Sequence, residues 1–300
     1  MKQHHVFLYI LIGLSLILCL RYLGEKYINP KPTSEGFQQN GNFVVKTNAD
    51  IYDIFYAEQY DVLHKPENRC NLEINNIIRM TQPSKEHSNF LDIGSGTGSL
   101  VNALTNYGYR AYGMDKSLDM IQYSQSKYSN IEVEQGDVLE PMLFEKGTFT
   151  HIICNYFTIY QFKNKNQLFR NCYQWITPGG YLILHLVDPN RFDTVIPAGK
   201  PLGIDSPQKY TDHRILETYV EFDTFKYKSK YDPKYSSIVE TFTENITGQV
   251  RQNEQTLFME TKEMILGIAT IVGFILQGQM NYETINGDPY QYLIVLERPM

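Results

Sequence analysis

Basic residues are in no excess in this sequence. Its 300 residues include 27 Lys and Arg against 33 Asp and Glu, for a formal net charge of −6. A protein that binds the backbone of a nucleic acid usually carries a basic face or a basic surplus. The charge balance therefore argues against a nucleic-acid partner.

Cysteine is also scarce. The four cysteines, Cys19, Cys70, Cys154 and Cys172, show no CxxC spacing. This pattern predicts free thiols in a reducing compartment, and it indicates neither a disulfide framework nor a metal site.

The N-terminus departs from the average composition. The run from Val6 to Leu20 is uncharged, and at 1.5 Å per residue a helix of this length measures about 23 Å. Arg21 can snorkel and Leu23 extends the run, so residues 6–23 can cross a slightly thin bilayer. A cleaved signal peptide is the alternative, but the small residues that precede a cleavage point are missing. We therefore expect an uncleaved transmembrane helix within residues 1–24.

Positive charges lie mainly after this run. Lys2 precedes it, whereas Arg21, Lys26 and Lys31 follow it. The positive-inside rule then predicts a single-pass membrane protein with the rest of the chain in the cytoplasm. Residues 25–48 contain many polar residues, glycines and prolines, and we expect them to form a flexible linker. The folded domain is then expected over residues 49–300.

Strand-like and helix-like segments alternate from about Ile51 onward. The strand-like segments are NFLDIG, YRAYGMD, IEVEQGD, FTHIICNYF and YLILHLV. The alternation predicts an α/β fold with a doubly wound, Rossmann-like parallel sheet. Runs rich in β-branched and aromatic residues predict an antiparallel β subdomain inserted at about residues 205–260. MNYETI and YQYLIVLERP predict a terminal hairpin that adds an antiparallel strand.

Three glycines follow the first strand-like segment, in FLDIGSGTGSL. Gly94, Gly96 and Gly98 have the spacing GxGxG, which differs from the GxGxxG fingerprint of dinucleotide sites. In open parallel sheets, ligands bind beyond the carboxyl ends of the strands, where glycine lets the backbone approach the ligand. The motif therefore predicts a ligand site at this strand end.

Acidic residues end the next two strand-like segments. Asp115 can accept hydrogen bonds from both hydroxyls of a ribose. Asp137, in QGDV, is placed to reach an adenine edge. Glycine, acid and acid at successive strand ends together favour a binding site over three unrelated surface features.

The region from about residue 51 to residue 300 resembles the class I S-adenosylmethionine-dependent methyltransferases. The segments that carry the resemblance are LDIGSGTG, GMDKS, QGD, FTHIICNYFTIYQF, WITPGGYLILHLV and the terminal hairpin. The resemblance implies that Asp92 and the three glycines hold the methionine part of S-adenosylmethionine. It implies that Asp115 binds the ribose and that Asp137 and Val138 bind the adenine.

Asn155 and Tyr60 are two further candidate cofactor contacts. Asn155 follows the fourth strand, and in resembling enzymes a leading helix covers the cofactor, which makes Tyr60 a candidate contact. Tyr52, Tyr56 and Tyr60 recur every four residues. That spacing by itself is more typical of core packing than of a site.

The acceptor pocket is expected over the ends of the fourth and fifth strands. His185 is a candidate general base there, with Asp188 as a partner that could orient it, and Tyr156 is a second candidate catalytic residue. An equally good interpretation of His185 is a strand histidine that only packs and bonds to the backbone.

The inserted strands carry Glu240, Arg251 and Glu260. Charges on antiparallel strands are typical of a solvated face. If that face instead caps the pocket, these side chains could recognise a polar small molecule.

These features favour an enzyme that transfers a methyl group to a small-molecule or protein acceptor. A nucleic-acid methyltransferase is an alternative. The negative net charge argues against it, and so does the segment CNYF, because amino-directed enzymes of that class carry prolines at this point and CNYF has none. The GxGxG spacing and the hairpin argue against a nicotinamide-dependent oxidoreductase. A membrane-tethered cofactor binder without turnover stays open, because methyl transfer requires no particular catalytic residue. The anchor and the Asn-, Ile-, Lys- and Tyr-rich composition resemble proteins of large DNA viruses, for which the membrane would be that of the host or the virion.

Overall fold

The computed structural model describes residues 43–200 and 205–300, together with Gly13 and Ser15. Residues 36–300 form one compact unit and residues 1–35 another. Apart from Gly13 and Ser15, which are helical, the predicted anchor lies outside the described residues, as does the first part of the predicted linker. Among the residues that are described, no helix combines the length and the apolar character needed to cross a membrane.

The main sheet has seven strands and confirms the Rossmann-like α/β prediction. Its strands are β2 (Asn89–Ile93), β3 (Arg110–Asp115), β4 (Glu132–Gln135), β5 (Phe149–Cys154), β6 (Ile176–Val187), β11 (Ile275–Tyr282) and β12 (Asp288–Glu297). The order across the sheet is β11-β12-β6-β5-β2-β3-β4. Strands β2 to β6 are parallel, and β12 is antiparallel to both β6 and β11. The terminal hairpin therefore adds one antiparallel strand, β12, beside β6, as predicted, and β11 forms the edge next to it.

Seven α-helices connect or cover these strands in the described part of the chain. They are α1 (Ile54–His64), α2 (Pro66–Thr81), α3 (Ser99–Asn106), α4 (Leu118–Lys127), α5 (Lys165–Trp175), α6 (Lys262–Val272) and α7 (Glu283–Asn286). Ser117 starts α4 as predicted, because its hydroxyl accepts a hydrogen bond from the Met120 N–H.

Two hydrophobic layers enclose the main sheet. Neighbouring residues of β6 alternate between them: Leu184 packs in one core with Trp175 of α5, and Ile183 packs in the other with Ile74 of α2. Each of these side chains is fully buried. The period-two alternation of a strand thus gives the sheet two apolar faces, each covered by helices.

A second sheet has five strands. Its strands are β1 (Phe43–Thr47), β7 (Glu217–Glu221), β8 (Phe225–Asp232), β9 (Ser237–Glu244) and β10 (Val250–Thr256), in the order β1-β10-β9-β8-β7. Strands β7 to β10 are antiparallel and lie within the predicted insertion. Their inner face packs on α1 in a third core that includes Phe55, Tyr227 and Phe242.

Strand β1 is a difference from the sequence prediction. Residues 43–47 fall within the segment expected to be a linker, yet they pair in parallel with β10. Val44 is buried there. The pairing partner lies some two hundred residues along the chain, so no local pattern signals it.

Candidate active site

A large cavity lies where the main sheet, α1 and the second sheet meet. Its volume is about 1410 Å³. One side is formed by residues that follow β2, β3, β4 and β5, including Gly94, Gly96, Asp115, Asp137 and Val138. The other side is formed by α1, the segment after β6 and the inner face of the second sheet, including Tyr52, Tyr56, Tyr60, Phe192, Tyr227, Tyr231 and Glu240.

The glycine loop forms part of the first side. Gly96 has a φ of +51°, and a Cβ atom there would meet nothing within 4 Å. Its backbone is therefore open to a ligand, as predicted. Gly98 differs, because a Cβ atom there would lie 2.8 Å from Ile131 Cδ1 and 3.0 Å from Ser124 Cβ. Gly98 thus serves close packing between elements and does not line the cavity.

Asp115 holds the glycine loop and also lines the cavity. Its Oδ2 accepts a hydrogen bond from the Gly96 N–H and its Oδ1 from the Ser117 N–H, each at 2.9 Å. Burial raises the pKa of the Asp115 carboxyl, although these backbone donors oppose the shift. Each carboxylate oxygen keeps a lone pair, so the group can still accept bonds from ribose hydroxyls.

Asp137 and Val138 line the same side. Asp137 accepts hydrogen bonds from Lys116 Nζ at 2.8 Å and from the Leu139 N–H at 3.0 Å. Burial raises the pKa of Asp137, but these donors and the lysine charge outweigh it and bring the pKa below its usual range. Val138 is buried and supplies an apolar wall. The two residues therefore lie where the adenine contacts were expected.

Asp92 lies beside a small cavity of about 50 Å³ next to the glycine loop. It is 4% exposed, and no ion pair among the described residues includes it. Burial, followed by the Asp115 and Glu73 carboxylates, raises the pKa of Asp92 well above its usual range. A positively charged amino group would relieve this situation. The site thus fits the ammonium of the methionine part of S-adenosylmethionine.

Asn155 lies deeper than expected for a cofactor contact. Its Nδ2 donates to Glu73 Oε2 at 2.5 Å, and its Oδ1 accepts from the Tyr156 N–H at 2.9 Å and from the Tyr282 hydroxyl at 3.3 Å. It lines the small cavity but not the large one. Its amide is therefore engaged mainly in holding α2, β5 and β11 together.

Tyr60 and Tyr156 line both cavities. Tyr156 comes directly after Asn155 and has a φ of +41°, an uncommon conformation for a non-glycine residue. The Arg69 guanidinium lies 3.7 Å from the centre of the Tyr156 ring. Arg69 thus makes a cation–π contact with this ring.

A series of hydrogen bonds leads from Tyr156 toward the second sheet. His64 Nδ1 lies 3.1 Å from the Tyr156 hydroxyl, and His64 Nε2 lies 3.5 Å from the Tyr56 hydroxyl. Tyr56 in turn donates to Glu240 Oε1 at 3.0 Å. Because Tyr56 is a donor to Glu240, its oxygen accepts from His64 Nε2–H, which leaves His64 Nδ1 to accept from Tyr156.

His64 is neutral in this series. Burial, with a further effect of the Arg69 charge, lowers the pKa of His64 from 6.5 to about 3. A neutral imidazole with one donor and one acceptor suits a position between two tyrosine hydroxyls. The arrangement can pass a proton along one direction, from Tyr156 toward Glu240.

The structure contradicts the expected position of His185. The side chain is fully buried and lines neither cavity. Its Nδ1 accepts from the Phe157 N–H at 3.2 Å, so Nε2 carries the proton and donates to Gln291 Oε1 at 2.8 Å. Burial lowers the pKa of His185 to about 3. Asp188 does not contact it and pairs with Arg191 at 2.8 Å.

Other cavity residues were not identified from the sequence. The spacing of Tyr52, Tyr56 and Tyr60 indicated packing, yet Tyr52, which precedes α1, and Tyr56 within it also line the cavity. Glu240 and Arg251 were interpreted as solvated, but they are 7% and 0% exposed. The packing of α1 on the second sheet decides which face of β9 and β10 is covered, so the pattern alone could not settle the choice.

Comparison with known proteins agrees with this geometry. Residues 91–184 match the family described as methyltransferase domain. The phosphoethanolamine N-methyltransferase of Plasmodium falciparum is 27% identical over 160 residues, which are 49% of this chain and 54% of that protein. The chain thus spans about half the length of this relative.

Solved structures share the fold. An S-adenosylmethionine-dependent methyltransferase from Clostridium acetobutylicum superposes with a TM-score of 0.62 at 13% identity, over 82% of this chain and 98% of that one. An amino pentose methyltransferase from Micromonospora echinaspora, solved with S-adenosylmethionine bound, gives a TM-score of 0.56 at 15% identity, over 81% and 96%.

The strand-end site and the sequence match agree with each other. Residues 91–184 match a methyltransferase domain, and the fold is shared with solved S-adenosylmethionine-dependent methyltransferases. Asp92, the open backbone at Gly96 and the free lone pairs of Asp115 are the features of this chain that fit the cofactor.

We predict that Asp115→Ala weakens S-adenosylmethionine binding at least roughly tenfold. The substitution removes two charge-assisted hydrogen bonds worth about 1.5–3 kcal/mol each, and about 1.4 kcal/mol corresponds to a factor of ten. Titration calorimetry with the demethylated cofactor measures the effect. Glu134→Ala, an exposed acid on the neighbouring strand β4, is the matched control. Equal affinities of the two variants would refute the role of Asp115.

We predict that His185 stabilises the fold as a neutral residue. Its folded pKa of about 3 lies below the ordinary 6.5, so its stabilising contribution is complete above pH 6.5 and is lost as the pH falls toward 3. The loss reaches about 1.4 kcal/mol per pH unit. His185→Asn should therefore lower the unfolding free energy at pH 7. Below pH 6.5, the unfolding free energy of this variant should fall less steeply with decreasing pH than that of the unmodified protein.

Urea unfolding at several pH values measures this effect, with the exposed His213→Asn as control. Unchanged stability together with lost turnover in His185→Asn would instead support the catalytic role.

Proposed function

We propose that this protein transfers a methyl group from S-adenosylmethionine to a small molecule that enters the large cavity. The observation that carries the proposal is the continuity of the cavity from the cofactor residues to the aromatic side under the second sheet. Ligand pockets commonly measure about 300–1,000 Å³. A volume of about 1410 Å³ leaves room for the cofactor and for an acceptor.

The reactions for which similar proteins are named support a small-molecule acceptor. One is a phosphoethanolamine N-methyltransferase and another an amino pentose methyltransferase. The net charge of −6 supports the same choice over a nucleic acid.

The protein positions the acceptor and provides a route for the proton that the acceptor loses. S-adenosylmethionine, when bound, supplies a sulfonium methyl that is ready for in-line displacement. Residues of the aromatic side hold the acceptor against the strand ends and exclude water, and such positioning can lower a barrier by roughly 7–11 kcal/mol. The Tyr156 oxygen can accept the proton that the acceptor loses while its own proton moves to His64.

The test is a screen of acceptors with methyl-labelled S-adenosylmethionine and the full-length chain. Pools of small metabolites, proteins and nucleic acids are offered in parallel. We expect the label in the small-molecule pool. Label confined to the protein or nucleic-acid pool would overturn the proposal.

Tyr156→Phe gives a sharper test once an acceptor is found. Without the hydroxyl, the proton route to His64 is broken, and kcat should fall by roughly 10²–10⁴. Cofactor affinity should stay nearly unchanged, because the ring and its contact with Arg69 remain. Tyr235→Phe, at an exposed position, is the control. An unaltered kcat in Tyr156→Phe would exclude a role for the hydroxyl.

We further propose that residues 6–23 anchor the protein to a membrane with the methyltransferase domain in the cytoplasm. The uncharged run and the positive charges that follow it support this topology. The resemblance in composition to proteins of large DNA viruses suggests a viral origin and, with it, a host or virion membrane.

Asn245-Ile246-Thr247 is a natural reporter of this topology. The tripeptide is a glycosylation acceptor pattern, and all three residues are exposed between β9 and β10. In a eukaryotic cell it should remain unmodified, since the modifying enzymes face the lumen. A glycosidase-sensitive mass shift that disappears in Asn245→Gln would reverse the topology.

A further inference from the structure

Glu240 occupies an unusual position in the acceptor side of the cavity. It lies on the inner face of β9, lines the cavity and is 7% exposed. Its Oε1 accepts hydrogen bonds from the Tyr227 hydroxyl at 2.6 Å and from the Tyr56 hydroxyl at 3.0 Å. Among the described residues, its Oε2 accepts a single, longer bond, at 3.3 Å from Asn253 Nδ2. Oε2 therefore retains the capacity to accept a further donor.

The Glu240 carboxylate lacks a cationic partner. No ion pair formed among residues 43–200 and 205–300 includes it. Arg251, on the neighbouring strand, is already committed, because it binds both Asp53 oxygens at 2.8 and 2.9 Å. A buried carboxylate without a countercharge is costly. Burial accordingly raises the pKa of Glu240, although its hydrogen bonds and Arg251 oppose the shift.

Aromatic rings surround the same part of the cavity. Tyr56 packs edge-to-face against Tyr52 and Tyr60, with ring centres 5.7 and 6.0 Å apart. Tyr227 and Tyr231 of β8 line the cavity as well. The faces of aromatic rings attract cations, and quaternary ammonium groups are commonly bound in such cages.

We propose that Glu240 and the surrounding tyrosines form a subsite for an ammonium group of the acceptor. This inference rests on the proposed function and specifies its substrate class as amines. The ammonium supplies a positive charge opposite the Glu240 carboxylate, and the tyrosine rings supply the remaining contacts. A neutral hydroxyl in the same place would leave the carboxylate uncompensated, so the subsite discriminates by charge.

The subsite can be tested without knowing the natural acceptor. The full-length protein is saturated with the demethylated cofactor, and ligand-observed NMR follows the binding of four probes. Propylamine and tetramethylammonium carry the charge, and propanol and tert-butanol are their neutral counterparts. We expect the cations to bind at least tenfold more tightly than the alcohols, in competition with one another.

Two variants locate the binding. Glu240→Gln should abolish the preference for cations and leave cofactor affinity unchanged. Glu244→Gln is the matched control, because Glu244 lies on the same strand with the same 7% exposure but does not line the cavity. Ser229→Lys keeps the carboxylate and places a lysine opposite it, since Ser229 pairs with Glu240 across the strands. Ser229→Lys should also abolish cation binding, and this variant provides the test if Glu240→Gln does not fold.

Equal binding of cations and alcohols, or a preference that survives in both Glu240→Gln and Ser229→Lys, would overturn the subsite. Those results do not alter the measured affinity for the cofactor. The absence of the subsite can therefore be distinguished from an incorrect assignment of methyltransferase activity. Conversely, a protein that prefers cations but does not bind the cofactor would refute the proposed function while retaining the subsite.

Discussion

The ion pair between Arg251 and Asp53 is the interaction on which the enclosure of the cavity depends. Arg251 is fully buried on β10, whereas Asp53 caps the first turn of α1. The guanidinium also donates to the Ile51 carbonyl at 3.0 Å and to Asn253 Oδ1 at 2.9 Å. A buried charge pair is tolerated only with such complete hydrogen bonding. The ion pair fixes the position of α1 against the second sheet. These two elements form one side of the cavity.

The two sides of the cavity serve different purposes. The strand ends of the main sheet present backbone groups and carboxylates, which suit the constant features of a nucleoside cofactor. The second sheet and α1 present tyrosines and one buried carboxylate, Glu240, toward the space left for an acceptor. Variation in the second sheet can therefore change the acceptor while the cofactor side stays the same.

The series from Tyr156 through His64 and Tyr56 to Glu240 connects these two sides. Along it, Tyr156 donates to His64, and His64 and Tyr56 each accept one hydrogen bond and donate one. Burial keeps His64 neutral, so the series contains a single formal charge, at its Glu240 end. An ammonium bound at Glu240 would compensate that charge and would reorder the series. The proposed ammonium subsite and the proposed proton route would therefore be linked electrostatically.

The sequence alone determined the main sheet and the cofactor side. Gly96 follows β2, Asp115 ends β3 and Asp137 follows β4. The alternation of these strands with helices is visible locally, and parallel strands bring their carboxyl ends to one edge. Burial and side-chain direction were not determined in this way. His185 lies on a correctly predicted strand but is directed into the core, and Glu240 lies on a strand whose covered face depends on α1. Strand β1 required a partner far along the chain. The acceptor side is assembled from α1, β8 and β9, which are distant in sequence, so only tertiary structure could decide which of their side chains meet.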